Sequence, residues 1–293
     1  MEYNSPLRYP GGKSLLANFL QNVILYNNLE GCQLYEPFAG GAGASLKLLK
    51  DGIVSKLILN DADISIYSFW KSILSDTERF VKKIKETPVN IKEWKIQKRI
   101  YSSEKSNLLS LGFATFYLNR CNRSGIIPTG GPIGGKQQNG NWKIDARFNK
   151  DELISRILNI VAYSNKITFT NNDAKVILKD ITKKKDIFIY IDPPYYKKGR
   201  ELYLNSFSNA DHLALSKTIK KLNNQNWLLT YDNCDFIINL YTKETIKILS
   251  FYLNYSLQDK KKGNELLICP IHLDLPSQIK LNNNIQKFQK VFV

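Results

Sequence analysis

Histidine is scarce in this chain of 293 residues: only His212 and His272 occur, beside a single methionine. The four cysteines, Cys32, Cys121, Cys234 and Cys269, stand far apart, with no C-x-x-C pair and no histidine at ligand spacing. Zinc-site patterns are thereby excluded, and no metal is expected. Scattered thiols in a chain of this length read as reduced and mostly buried, as in a cytoplasmic protein. No stretch approaches the run of about 18 apolar residues that a membrane span requires. No apolar run follows the first charges either, so a signal peptide is not expected. Acidic residues are also in deficit. Against 42 Lys+Arg there are 26 Asp+Glu, a formal net charge of +16. Such an excess favours a polyanionic partner, because neutralising phosphates releases their counterions. A lysine-rich surface without a specific partner gives the same count. The chain is long enough for one large domain or two smaller ones with a full core.

What is present alternates between strand-like and helix-like patterns, without internal repeats. Leu15–Leu25 has helical spacing, with Leu16, Phe19, Leu20 and Val23 on one side. A short strand at Gln33–Phe38 runs into the turn Ala39-Gly40-Gly41-Ala42-Gly43 and a helix at Ala44–Leu49. A second strand, Lys56–Asn60, completes a β-α-β start. From Ile64 to about Leu118 the chain reads helical and rich in lysine. The glycine-rich stretch Thr129–Asn141 reads as a turn-rich mobile loop or hairpin. Helical spacing returns at Asp151–Tyr163, before strands at Ile167–Thr170 and Ile187–Ile191. A helix at Asp211–Leu222, a strand at Asn226–Tyr231, a helix near Asp235–Leu240 and strands around Ile246–Tyr255 and Leu266–Pro270 follow. This is an α/β sheet domain interrupted by a helical insertion at roughly 64–160.

The most informative segment is Asp192-Pro193-Pro194-Tyr195, directly behind the apolar run Ile187–Ile191. A buried strand delivers these residues to the carboxyl edge of a sheet, where open α/β sheets bind ligands. The prolines fix φ and lack amide protons, so the segment offers a carboxylate, a carbonyl outside the ladder and an aromatic face. Those features suit a planar heterocycle with an exocyclic amine; the plainer reading is a strand stopped by prolines. Near the N-terminus, Arg8-Tyr9-Pro10-Gly11-Gly12-Lys13-Ser14 imitates a P-loop, but the required first glycine is Leu7 and no strand precedes it. The loop Glu36–Gly43 follows a strand and opens a helix, a place where backbone amides receive anionic groups. Its dinucleotide fingerprint fails at Leu46, where the third glycine belongs. An acid at the end of the next strand, Asp61, is placed for ribose hydroxyls, although by itself such a residue is more often a cap or turn residue.

Taken in order, these segments resemble the Dam-like (alpha-class) DNA adenine methyltransferases. The matches are Arg8–Lys13, Glu36–Gly43, Asn60-Asp61 and Asp192–Tyr195, with weaker echoes at Leu118-Asn119-Arg120, Ser124-Gly125, Asp211-His212, Leu229-Thr230-Tyr231-Asp232 and Gly263-Asn264-Glu265-Leu266-Leu267. The resemblance runs to about residue 270. It implies a Rossmann-like methyltransferase core that binds S-adenosyl-L-methionine, at 1–63 and 161–293. It also implies a helical insertion, 64–160, that recognises double-stranded DNA. Carried over, Tyr9, Lys13, Glu36, Phe38, Gly40, Gly41, Gly43, Asp61, Asp173 and Asp192 face the cofactor, with Asp61 on the ribose. Tyr9-Pro10 departs from the Trp-Ala of many relatives and puts the cofactor's packing in question.

The same resemblance makes Asp192, Pro193, Pro194 and Tyr195 catalytic. An adenine leaves the duplex and stacks on Tyr195, while the Asp192 carboxylate and the Pro193 carbonyl accept its amino protons. Asn119, Arg120, Asn122 and Arg123 cluster behind a helical run as DNA contacts, to bases or phosphates alike; Lys136 joins them from the glycine-rich loop. The segment Lys197–Arg200 with Tyr203 and Asn205 resembles one that closes near the flipped base. His212 reads as a cap or packing residue, and the enzyme as a monomer. Two alternatives stay open: methylation of the cytosine amino group, and a catalytically silent DNA-binding relative.

Overall fold

The computed structural model describes residues 5–8, 16–197, 207–222, 224–254, 262–281 and 284–291. In chain order its first elements are α1 (Ala17–Tyr26), β1 (Gln33–Glu36), α2 (Gly43–Lys50) and β2 (Lys56–Asn60). A helical stretch follows: α3 (Ile64–Ser75), α4 (Thr77–Glu86), α5 (Ile91–Ser103), α6 (Leu108–Cys121) and α7 (Lys150–Val161). Then come β3 (Ile167–Thr170), α8 (Ala174–Asp180), β4 (Ile187–Ile191), α9 (Asn209–Ile219), β5 (Asn226–Asp232) and α10 (Asp235–Tyr241). The last strands are β6 (Ile246–Asn254), β7 (Lys262–Pro270), β8 (Gln278–Leu281), β9 (Asn284–Lys287) and β10 (Gln289–Lys290). Helix α8 and the strands β8, β9 and β10 are not anticipated from the sequence. All four are short, and their few apolar positions give no clear period.

Chain contacts divide these elements into two compact units, the described residues of Lys13–Asn60 with Asn172–Val293, and those of Met1–Gly12 with Asp61–Asn171. In the first, the strands lie in the order β10-β6-β7-β5-β4-β1-β2. The pairs β1–β2, β1–β4 and β4–β5 are parallel, whereas β7 runs antiparallel to both β5 and β6. All five residues of β4 are buried, as a central parallel strand covered on both faces requires. Ile187, Ile189 and Ile191 on one face of β4 share an apolar cluster with Leu215, Ile219, Trp227, Leu229 and Ile268. The fold class is therefore α/β with a mostly parallel sheet, Rossmann-like, as the sequence reading expects. From β1 the order proceeds to β2 on one side and to β4 on the other. At such a reversal open α/β sheets bind ligands beyond the carboxyl ends of the strands, here those of β1 and β4.

The second unit is built from α3–α7 around aromatic rings. Phe69, Phe80, Phe113 and Phe116 pack at 5.6–6.4 Å between centroids, and Phe148 closes on Phe116 and Tyr117 at 5.4 and 5.3 Å. Offset and edge-on pairs of this kind add to the area they bury. Helices α3 and α6 approach so closely that a β-carbon on Gly112 would overlap the Ser68 backbone. Asp63, Asn90, Asn107 and Asn149 each cap a helix by accepting from an amide of its first turn.

Candidate active site

Asp192 emerges half-buried from β4, followed by buried Pro193 and half-buried Pro194 and Tyr195. Ile191 pairs with Leu229 of β5, so the next residue of β5, Thr230, lies level with Asp192. Thr230 is fully buried and donates from Oγ1 to Asp192 Oδ1 at 2.6 Å. The Tyr190 hydroxyl lies 3.4 Å from the same threonine oxygen. Tyr195 donates its phenol proton to Oε2 of buried Glu265 on β7 at 2.9 Å. Beyond it, both carboxylate oxygens of Asp232 are used: Oδ1 accepts from the Tyr196 amide at 2.9 Å and Oδ2 from that of Lys197 at 2.7 Å. The loop behind β4 is thus fixed by β5 and by the antiparallel strand β7. Thr230, Asp232 and Glu265 appear in the sequence reading only inside faint motif echoes, without a role.

Burial pushes the Tyr190 and Tyr195 phenols well above their ordinary value of 10, and the nearby Asp192 carboxylate adds to both shifts. Tyr195 therefore stays neutral and keeps its hydrogen on Glu265. Its ring lies 6.1 Å from that of Tyr231, whose hydroxyl is 2.6 Å from His212 Nδ1. His212 is buried among Tyr196, Phe207 and Phe236, and burial holds its pKa below 6.5. The structure places it in packing.

Beside it, β1 pairs with β4 and leads into the glycine loop. Buried Glu36 accepts from Ser45 Oγ at 2.5 Å, and half-buried Phe38 meets Phe207 edge-on at 5.9 Å. Gly40 and Gly41 are buried, and Gly43 opens α2. Gly40 and Ala42 both have φ of 47°, in the left-handed region. For alanine that conformation costs about 1–2 kcal/mol and persists only where its surroundings impose it. Asn60 supplies part of that constraint. Its backbone oxygen accepts from the Ala39 amide at 2.8 Å, and its Nδ2 donates to the Pro37 carbonyl at 3.0 Å. The same carboxamide exchanges two hydrogen bonds with the Asn172 backbone, at 2.9 and 3.0 Å. One buried side chain thereby ties the glycine loop to the segment carrying Asp173. Asn60 likewise has no role in the sequence reading, although it stands in the Asn60-Asp61 pair. Asp173 itself is exposed, caps α8 through the Lys175 amide at 2.8 Å and pairs with Lys175 Nζ at 3.3 Å.

Glu36, Phe38, Gly40, Gly41, Gly43, Asp173 and Asp192–Tyr195 are all carried by the sheet unit. Tyr9 and Lys13, with Tyr203 and Asn205, lie outside the described residues. A cavity of about 400 Å³ lined by Lys220, Trp227, Lys243 and Pro270 opens at the amino end of β5, away from these residues. All four cysteines are free and buried, with burial raising each thiol above its ordinary pKa. They offer no nucleophile.

The remaining candidates belong to the helical unit. Asp61 is half-exposed, and its Oδ1 accepts from the Asp63 amide at 2.9 Å. Asn119 and Asn122 are buried and occupied internally. Asn119 Nδ2 donates to the Arg8 and Gly125 carbonyls at 2.7 and 2.9 Å. Asn122 accepts from Trp94 Nε1 at 2.7 Å and donates to the Ile126 carbonyl at 2.7 Å. Both carboxamides shape the turn after α6, where Gly125 passes so near Arg8 that a β-carbon would lie 2.5 Å from its carbonyl oxygen. Arg120 is 6% exposed, and its Nε has no hydrogen-bond partner. Burial, then Arg156 and Arg8, hold its pKa down to about 9. Arg156 pairs with Glu152. Arg123 and Lys136 are exposed. The glycine-rich stretch, expected as a turn-rich loop or hairpin, forms turns held by hydrogen bonds of Gln138.

No described helix is long and apolar enough to cross a membrane. No group of metal-ligating side chains occurs among the described residues.

No curated protein matches the chain in sequence. Among solved structures, the crystal structure of protein LPL1258 from Legionella pneumophila str. Philadelphia 1 covers 88% of this chain and 85% of its own, at 13% identity and a TM-score of 0.34. That likeness is too slight to carry an argument. The family comparison is decisive, matching D12 class N6 adenine-specific DNA methyltransferase over residues 9–252. With the carboxylate-proline-proline-tyrosine corner at the sheet's switch point, the chain belongs to the D12 class N6 adenine-specific DNA methyltransferase family and is an enzyme that methylates adenine in DNA.

Proposed function

We propose that this enzyme acts as a cytoplasmic monomer on double-stranded DNA, taking its methyl group from S-adenosyl-L-methionine, with Asp192–Tyr195 as the catalytic corner. The observation that carries the reading is the Asp192 carboxylate held by Thr230 at the carboxyl end of β4, where the strand order reverses beside β1. A target adenine must leave the stack, at a cost of a few kcal/mol. Stacking on the Tyr195 ring offsets about 1–3 kcal/mol of this. Asp192 and the Pro193 carbonyl accept the two amino hydrogens, which opposes delocalisation of the nitrogen lone pair into the ring and orients it. Thr230 and Glu265 keep those groups in one geometry, so that orientation is set before substrate arrives.

The residues present fit a sulfonium cofactor. Burial is the main cause of the raised phenol pKa of Tyr190, and Asp192, Glu36 and Glu265 add to it; three carboxylates near one another favour a cationic ligand. The left-handed turn at Gly40–Ala42 and the start of α2 suit an anionic end. When bound, the cofactor supplies an electrophilic methyl group. Glu36, Phe38, Gly40, Gly41, Gly43, Asp173 and Asp192 would hold it, with Tyr9 and Lys13. Asp61, next in the chain after Asn60, would take the ribose. Four free, buried cysteines suit a reducing compartment.

We assign DNA recognition to the helical unit. Arg120, with Arg8, Arg147 and Arg156 acting on its charge, suits a backbone phosphate, and exposed Arg123 and Lys136 extend the positive surface. The test is transfer of labelled methyl from S-adenosyl-L-methionine to unmethylated duplex, followed by base analysis. Asp192→Asn is expected to lower turnover about 10²–10³-fold, the usual effect of losing one preorganised polar group. Unchanged turnover in that variant removes the assignment.

A further inference from the structure

Trp142 is 74% exposed, whereas Trp70, Trp94 and Trp227 are buried. An exposed indole is the amphipathic, flat side chain that contact surfaces favour. Its surroundings are built. Gln138 Nε2 donates to the Ile133 and Gly135 carbonyls at 2.8 and 2.6 Å, and its Oε1 accepts from the Ile144 amide at 2.8 Å. Lys143 Nζ returns to the Gln138 carbonyl at 2.7 Å. Gly134 has φ of 81°, and a β-carbon there would sit 2.5 Å from the Trp142 carbonyl oxygen. Pro132, Ile144 and Phe148 are buried and anchor the loop on both sides. The backbone of Trp142 is thus fixed while its ring is presented outward. Around it the segment 129–149 carries Lys136, Lys143 and Arg147 against one carboxylate, Asp145.

We infer that Trp142 is an aromatic contact to the DNA substrate, stacking on a base while the neighbouring cations meet phosphates. Every base offers a π-face, so such a contact is tolerant of sequence and strengthens binding without reading it. Charge complementarity selects this occupant: a segment with three cations and one anion around an indole matches a stacked polyanion. The inference rests on DNA being the substrate and is independent of the catalytic roles proposed for Asp192–Tyr195.

Because the other tryptophans are buried, Trp142 is the fluorophore that solvent quenchers reach. Titration with unmethylated duplex is expected to change its emission and to protect it from acrylamide, whereas S-adenosyl-L-methionine alone leaves it accessible. Trp142→Ala is expected to weaken duplex binding about 10-fold or more and to raise KM for DNA. Its kcat at saturating DNA stays near that of the wild type, and Trp142→Phe recovers most of the affinity. Acrylamide access that persists on saturating duplex, or wild-type affinity in Trp142→Ala, overturns the inference. Wild-type methylation of the same duplex, measured in parallel, tests separately the substrate reading on which the inference rests.

Discussion

Replacing Thr230 by valine tests whether the catalytic corner is preorganised by β5. The change keeps the branched shape of a fully buried side chain and deletes one hydroxyl. That hydroxyl donates to Asp192 Oδ1 at 2.6 Å, and the Tyr190 phenol lies 3.4 Å away from it. A hydrogen bond to a charged group contributes about 1.5–3 kcal/mol. If it orients the carboxylate in the transition state, its loss slows methyl transfer by about 10- to 100-fold. Single-turnover transfer with enzyme in excess isolates that step from product release. KM for DNA should change little, since the substitution leaves the stacking ring of Tyr195 in the protein. Thr230→Ser, which restores the donor, should recover most of the rate. A valine variant within twofold of wild type in single turnover, beside an Asp192→Asn control slowed about 10²–10³-fold, would refute the claim that β5 sets the geometry.

Tyr195→Phe keeps the ring but leaves buried Glu265 without the phenol donor. Thermal or urea unfolding should show a loss of about 1–3 kcal/mol, with affinity for DNA retained; Tyr195→Ala should lose affinity as well. Arg120→Met removes a buried charge that neighbouring arginines repel. The variant should melt no lower than wild type, yet bind DNA more weakly, with a salt slope reduced by about one. His212 predicts an acid limit. Burial lowers its folded pKa below the unfolded 6.5, so the unfolded chain binds the proton more readily. Stability is complete above about pH 6.5 and falls below it, by at most about 1.4 kcal/mol per pH unit from this group. Urea midpoints at pH 7.5 and 5.0 should separate, and His212→Gln should narrow that separation.

The elements that carry the site were legible because strong local patterns place them. Lys56–Asn60, Ile167–Thr170 and Ile187–Ile191 fall where their apolar runs put them, and the polar residues just behind β1 and β4 then mark a sheet edge. What the sequence could not disclose is which residues hold that edge in place. Thr230, Asp232 and Glu265 are distant in the chain and reach the corner only through the β4–β5 and β5–β7 registers. A shift of one residue would send each to the opposite face. Asn119 and Asn122 show the converse. Beside two arginines they read as a DNA-binding cluster, but capping a buried turn demands the same carboxamides that read bases. Only the partners separate the two jobs, and those partners, Arg8, Gly125 and Trp94, come from three different segments. Residue type alone therefore identifies the groups that meet a ligand far better than the ones that position them. It follows that substitutions at Thr230 and Glu265 give a sharper test of this site than further changes within Asp192–Tyr195.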